Sequence, residues 1–135
     1  MATLILKTEP FKYSFDDLLR DGKAVWDGVA NAQALIVLRG AKVGDEALIY
    51  HSNEGKAIVG IAKVTRAAYP DPKLDDPKLV VIELAPVKAL AKPVTLAEMK
   101  ATPGLEELGL IRQSRLSCMT VSAAHRKLLR GLGVK

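Results

Sequence analysis

Residues 46–66 constrain this chain more than any other stretch. EALIYHSN alternates Leu48 and Tyr50 on one face with Ala47, Ile49 and His51 on the other, and AIVGIAKVTR follows directly after Glu54 to Lys56. Period-two alternation, a short turn and a β-branched run predict two antiparallel strands, with Gly60 as a bulge or bend. Thr3 to Leu6 reads as a first strand ending in the polar Lys7-Thr8-Glu9 and the breaker Pro10, and LVVIELAPV from Leu79 as another strand. YPDPKLDDPK, residues 69–78, carries three prolines and is expected to be a long exposed loop.

Helices fill the remaining segments. Ser14 with Asp17 predicts a capped helix of one to two turns, stopped by Asp21 and Gly22. QALIVLRG suits a helix with Gly40 as its C-cap, a buried strand being the competing reading. Thr95 with Glu98 predicts a second capping box, and Ser122 opens a terminal helix closed by Gly131. Ser114 to Thr120 is read as a strand. At 135 residues there is room for one domain, 1–135, with no repeat or linker. The order of elements predicts an α+β fold, a small barrel or strongly curved sheet with short flanking helices.

Composition narrows the chemistry. Aromatics are only 4% of the chain, so any function that stacks flat rings has few residues to use. A formal charge of +5 favours polyanionic partners, although no run of like charges forms a basic tail. The single cysteine, Cys118, excludes an internal disulfide and is read as a packed thiol in a reducing compartment. Only four apolar residues precede Lys7, too few for a signal or membrane segment, so a cytoplasmic protein without membrane attachment is expected. Phosphate-loop, dinucleotide and GxSxG patterns are absent, and two histidines with one cysteine cannot build a zinc deaminase or zincin site. Neither a cofactor nor a metal nor a catalytic residue is expected.

Three polar clusters stand at predicted strand ends: Lys7-Thr8-Glu9, Tyr50-His51-Ser52-Asn53 and Arg112-Gln113-Ser114-Arg115. Mixed donors and acceptors of this kind suit a pocket that reads the edge of a planar base. Arg112 and Arg115 equally suit a solvated pair, and His51 a satisfied histidine. Trp26 would ordinarily pack in a core, but Gly28 allows a turn that exposes an indole face, with Asp27 bonding the loop backbone.

LKTEP (6–10), YSFDDL (13–18), WDGV with Asn31 (26–31), VGD (43–45), YHSN (50–53), IVGIAKV with YPDP (58–72), PVTLAEMK (93–100) and RQSRLS (112–117) occur in order over nearly the whole chain. Together they resemble the EVE domain family, that of thymocyte nuclear protein. The resemblance implies a PUA-like fold, a small curved β-barrel with flanking short helices. It also implies a reader module, not an enzyme, that binds nucleic acid, DNA or RNA, carrying a modified base flipped into a pocket, with modified cytosine in DNA foremost. Carried over by motif, Trp26 would wall the pocket and Tyr50 stack or pack. Asn31, His51, Ser52 and Asn53 would form the polar rim, and Lys7, Arg112, Gln113 and Ser114 would meet base or phosphate. Against the family pattern, Leu4, Ala32 and Leu79 stand where rings are usual, Ala30 and Leu35 where arginines are, Ile36 for an Asn and Thr120 for a Pro.

A monomer is expected. Two other functions fit the sequence: a protein-interaction domain that keeps the fold without the pocket, and a small hydrolase using His51 with Ser52, although neighbouring strand residues point to opposite faces.

Overall fold

In the computed structural model, which describes residues 1–135, β1 (Thr3–Thr8) enters the sheet first and α1 (Phe15–Asp21), β2 (Ala24–Trp26) and α2 (Ala32–Gly40) separate it from β3 (Glu46–His51). That length of connecting chain lets β1 lie parallel to β3, in register from Thr3 beside Glu46 to Thr8 beside His51. The hairpin read from the sequence forms between β3 and β4 (Ala57–Pro70), antiparallel from Glu46 opposite Lys63 to His51 opposite Ala57. β5 (Val80–Thr95) returns along β4, and the chain closes with α3 (Leu96–Lys100), α4 (Gly109–Arg112), β6 (Cys118–Val121) and α5 (Ala123–Leu132). The six strands lie in the order β2-β5-β4-β3-β1-β6. The fold is therefore α+β, and the sheet is open: β2 and β6 end it without pairing to each other, so the hydrogen bonds do not close a barrel.

The core is a cluster of 33 buried residues, mostly Leu, Ile, Val and Ala, with Phe15, Trp26 and Tyr50 as its rings. Gly60 sits at a register shift of β4 against β5, and the reason is steric. A Cβ there would stand 2.4 Å from the Phe15 ring, so the bare backbone of Gly60 is the seat on which α1 rests.

Local signals are met closely. Ser14 accepts from Asp17 N while Asp17 accepts from Ser14 N, and Thr95 and Glu98 repeat the arrangement on α3. Residues 32–40 are helix and not strand, but Ala41 in extended conformation caps α2 in place of Gly40. At α5 the left-handed cap is Gly133, φ +117°, two residues beyond the expected Gly131. Gly133 N bonds Arg130 O and Val134 N bonds Leu129 O, which seats Val134 in the core.

Non-local pairing changes the rest. β4 runs through Tyr69 and Pro70, part of the expected loop, because Tyr69 donates to Glu83 across the ladder at 2.6 Å and Pro70 takes the strand's last place, where its missing N–H matters least. β5 extends beyond Val87 to Thr95, passing Pro86 at a register shift. Ser114 to Ser117 is not strand: Gln113 N turns back to Gly109 O and Leu116 N to Gln113 O, so β6 begins only at Cys118. Cys118 is buried, as expected of a packed thiol, and burial pushes its pKa up to about 11. No helix is long and apolar enough to cross a membrane.

Candidate functional site

Where β1 and β2 end, the chain leaves a cavity of about 600 Å³, within the range of small-molecule sites. Lys7 and Thr8 reach it from β1, Lys12 and Tyr13 from the loop before α1, Asp21 from the last position of α1 and Lys23 from the segment after it. β2 and the turn behind it add Ala24 to Val29, and Ser117 closes the side next to β6. Gly28, φ +77°, makes the turn that the WDGV motif requires.

Trp26 is 8% exposed and meets Tyr13 edge to face, the ring centroids 6.5 Å apart and the planes at 81°. Trp26 thus forms a wall of the cavity. No buried side-chain nitrogen or oxygen lacks a partner, and the indole N–H bonds to no protein group, so it keeps contact with solvent. Tyr13 donates to Asp21 at 2.9 Å, and burial together with that carboxylate pushes its pKa up to about 12. Asp27, expected to tie the loop backbone, makes no such bond and faces the cavity.

Lys7 joins this cavity to a second one. Its Nζ donates to Ser114 O at 2.7 Å and stands 5.9 Å from the centre of the Tyr50 ring, its parallel neighbour on β3. Burial lowers its pKa from the usual lysine value. Beyond Ser114 lies a shallower cleft of about 350 Å³ lined by Asn31, Gln33, Arg112, Gln113, Ser114, Arg115 and Leu116. Within it Asn31 caps α2, accepting from Ala34 N at 3.0 Å, and Arg112 is held by Glu107 at 2.6 Å with both side chains largely exposed. Three lysines and two aspartates line the main cavity, and Arg20 also engages Asp21 at 3.1 Å, so cations prevail there.

The ten candidates thus separate into groups. Lys7 and Trp26 line the main cavity, and Asn31, Arg112, Gln113 and Ser114 line the adjoining cleft. Tyr50 is buried under Lys7 as a packing ring. His51, Ser52 and Asn53 are in neither concavity. His51 Nε2 accepts from Phe15 N at 3.0 Å, which pins the start of α1; burial lowers its pKa while Asp16 opposes the shift. Ser52 Oγ lies 3.4 Å from Thr8 O, and Asn53, φ 66°, makes the β3–β4 turn. The two groups of the proposed hydrolase pair are therefore directed at other partners. Tyr13, Lys12 and Lys23 were not among the candidates; the YSFDDL motif held Tyr13, but nothing in the local pattern points the lysines inward.

A model of the EVE domain family matches residues 2–132. Thymocyte nuclear protein 1 of Mus musculus is 35% identical over 147 residues, covering 84% of this chain and 65% of its own length. The chain spans that 65% in the human and Rattus norvegicus relatives also. Among solved structures, Rpa0253 from Rhodopseudomonas palustris superimposes with a TM-score of 0.93 at 41% identity, covering 98% of this chain and 93% of its own. Human THYN1 protein, solved in complex with 5-methylcytosine containing DNA, superimposes at 0.88 with 30% identity, covering 98% and 97%.

Proposed function

The chain belongs to the EVE domain family, and from that premise we propose that it is a reader of modified bases in nucleic acid, with 5-methylcytosine in DNA its first candidate ligand. One observation carries the proposal: Trp26 and Lys7 line one base-sized, cation-dominated cavity that adjoins an arginine cleft. The base enters the cavity out of the stack. Trp26 and Tyr13 form its wall, and Lys7, Thr8 and Ser117 address its polar edge. The strand on either side lies along Asn31, Gln113, Ser114, Arg112 and Arg115, whose cations meet phosphates. The whole chain, 1–135, acts as one PUA-like module, and binding is its task, not turnover. The neighbouring complex of human THYN1 protein with 5-methylcytosine containing DNA supports this choice of ligand.

Fluorescence anisotropy with matched duplexes, one 5-methylcytosine against one cytosine, tests the reading at low salt. Preference for the modified duplex, an affinity that falls with salt and a change in emission from the sole tryptophan are expected. Undetectable binding, or equal binding of both duplexes, overturns it.

One observation favours a second reading, a protein-interaction domain. A groove of about 360 Å³ lined by Ala30, Ala32, Leu35, Ile36 and Leu79 leaves Ile36 65% exposed. Failure on every oligonucleotide, with loss of a protein complex in Ile36→Asp, would favour it.

A further inference from the structure

Phe11 is 70% exposed, whereas Phe15, Trp26 and Tyr50 are buried and Tyr13 and Tyr69 are half-buried. It is thus the one ring that the fold leaves mostly in solvent, and it lies beside the cavity in sequence: Lys12 and Tyr13, the next two residues, both line it. Nor is it carried on a loose strap. Lys12 N and Tyr13 N both donate to Glu9 O at 2.9 Å, Thr8 Oγ1 donates to Tyr13 O at 2.6 Å, and Pro10 restricts the backbone next to the tip. The loop is a pinned knuckle with a benzyl ring at its apex. Lys7, Lys12 and Lys23 line the cavity that begins at the next residue, and the Lys12 ammonium reaches Glu9 at only 3.4 Å with most of its surface free.

A base drawn from a duplex into the cavity leaves a hole in the stack. Proteins that unstack a duplex commonly insert an apolar side chain between its bases, and a rigid ring does so at little conformational cost. We propose that Phe11 is this wedge, filling the place of the extruded base in double-stranded DNA while Lys12 meets the flanking phosphate. The proposal rests on the reader function, and it adds a specificity that the cavity alone lacks: duplex over single strand.

The test compares the whole chain with Phe11→Ala and Phe11→Leu on a duplex holding 5-methylcytosine beside 2-aminopurine, and on the same modified strand alone. Because Phe11 is exposed, both variants are expected to keep the unfolding midpoint. Phe11→Ala is expected to weaken duplex binding roughly tenfold, the scale of one lost stacking contact, and to abolish the 2-aminopurine signal. Its affinity for the single strand stays within about twofold, and Phe11→Leu recovers part of the duplex affinity. Unchanged duplex binding in Phe11→Ala, or an equal loss on duplex and single strand, overturns the wedge and leaves the reader function standing. If the unaltered protein shows no preference for the modified duplex, the reader function falls and the wedge with it.

Discussion

The two ends of β1 are built from the same kinds of residue and use them in opposite ways. At the Thr3 end, Arg126 reaches Glu46 through two nitrogens and Val134 O through a third, and Glu46 also accepts from Thr3 Oγ1. Asp45 alongside accepts from Ala2 N and Lys42 N. Those charges are buried and fully engaged; the Arg126 and Glu46 side chains are only 10% and 14% exposed. At the Thr8 end Lys7 has one carbonyl for three protons, the Trp26 N–H has no protein partner, and Arg112 holds Glu107 in open water. The difference separates structure from function: polar groups satisfied by the fold maintain it, and groups left with free valence are available to a ligand.

The largest expected effect comes from breaking the satisfied end. Burial works to raise the pKa of Glu46, but the bonds and charge of Arg126 outweigh it and hold the carboxyl below its usual value. Arg126→Ala strands that carboxylate and the Val134 carbonyl, so urea unfolding is expected to show a loss of about 3 kcal/mol, with nucleic-acid affinity at saturating folded fraction unchanged. A loss below about 1 kcal/mol would show that the two ends do not differ in this way.

The open end should respond in reverse. Lys7→Met keeps the apolar stem over Tyr50 and removes the charge, so stability changes little while affinity for the 5-methylcytosine duplex falls about tenfold, or about 1.4 kcal/mol. The salt dependence of binding should become shallower by about one ion if Lys7 meets a phosphate, and stay unchanged if it meets the base. Either slope assigns its partner. A drop in stability with unaltered affinity would instead move Lys7 into the structural class.

His51 lies between the two classes, and pH separates them. Accepting the Phe15 N–H requires a neutral imidazole, and burial lowers its pKa below the ordinary 6.5, with Asp16 opposing. The unfolded chain therefore takes up the proton first as pH falls. Its stabilisation is complete above about pH 6.5 and is lost as pH falls through the lower folded-state value. His51→Ala, leaving a half-buried N–H unpaired, should cost about 1–2 kcal/mol at pH 7.5 and less at pH 5.5. Denaturant midpoints of both proteins at the two pH values read the difference; a gap that widens on acidification contradicts the assignment.

The same contrast explains what could be read from the residues alone. Capping boxes at Ser14 and Thr95 and the β3–β4 hairpin depend on neighbours within a few positions, so spacing reveals them. The short β2 and the parallel β1–β3 pair depend on partners 43 to 60 residues away, Ala24 on Leu84 and Thr8 on His51 among them, and no local period records these. The site follows the same rule. Polar clusters flagged Lys7, which does end a strand, and the 112–114 segment, which instead closes α4, but they could not show that His51 would be consumed by the start of α1. Asn31, whose spacing to Ala34 is that of a helix cap, was legible for that role as well as for the rim.

Arg112 gives the smallest expected effect and the sharpest comparison, because it is the same residue pair as Arg126–Glu46 in a different solvent. Its partner Glu107 is 70% exposed and the Arg112 side chain 59% exposed, so water screens the attraction and replaces it at little cost. Arg112→Ala should therefore shift unfolding by less than about 0.5 kcal/mol. In the reader function the guanidinium exchanges Glu107 for a phosphate on binding, which predicts two further results. Arg112→Ala lowers affinity for modified and plain duplexes by the same factor, leaving the preference intact, since a phosphate contact carries no base identity. Glu107→Gln raises affinity slightly at low salt, because the competing carboxylate is gone. If Arg112→Ala instead erased the preference for the modified base, Arg112 would belong to the pocket, and cavity and cleft would be one site.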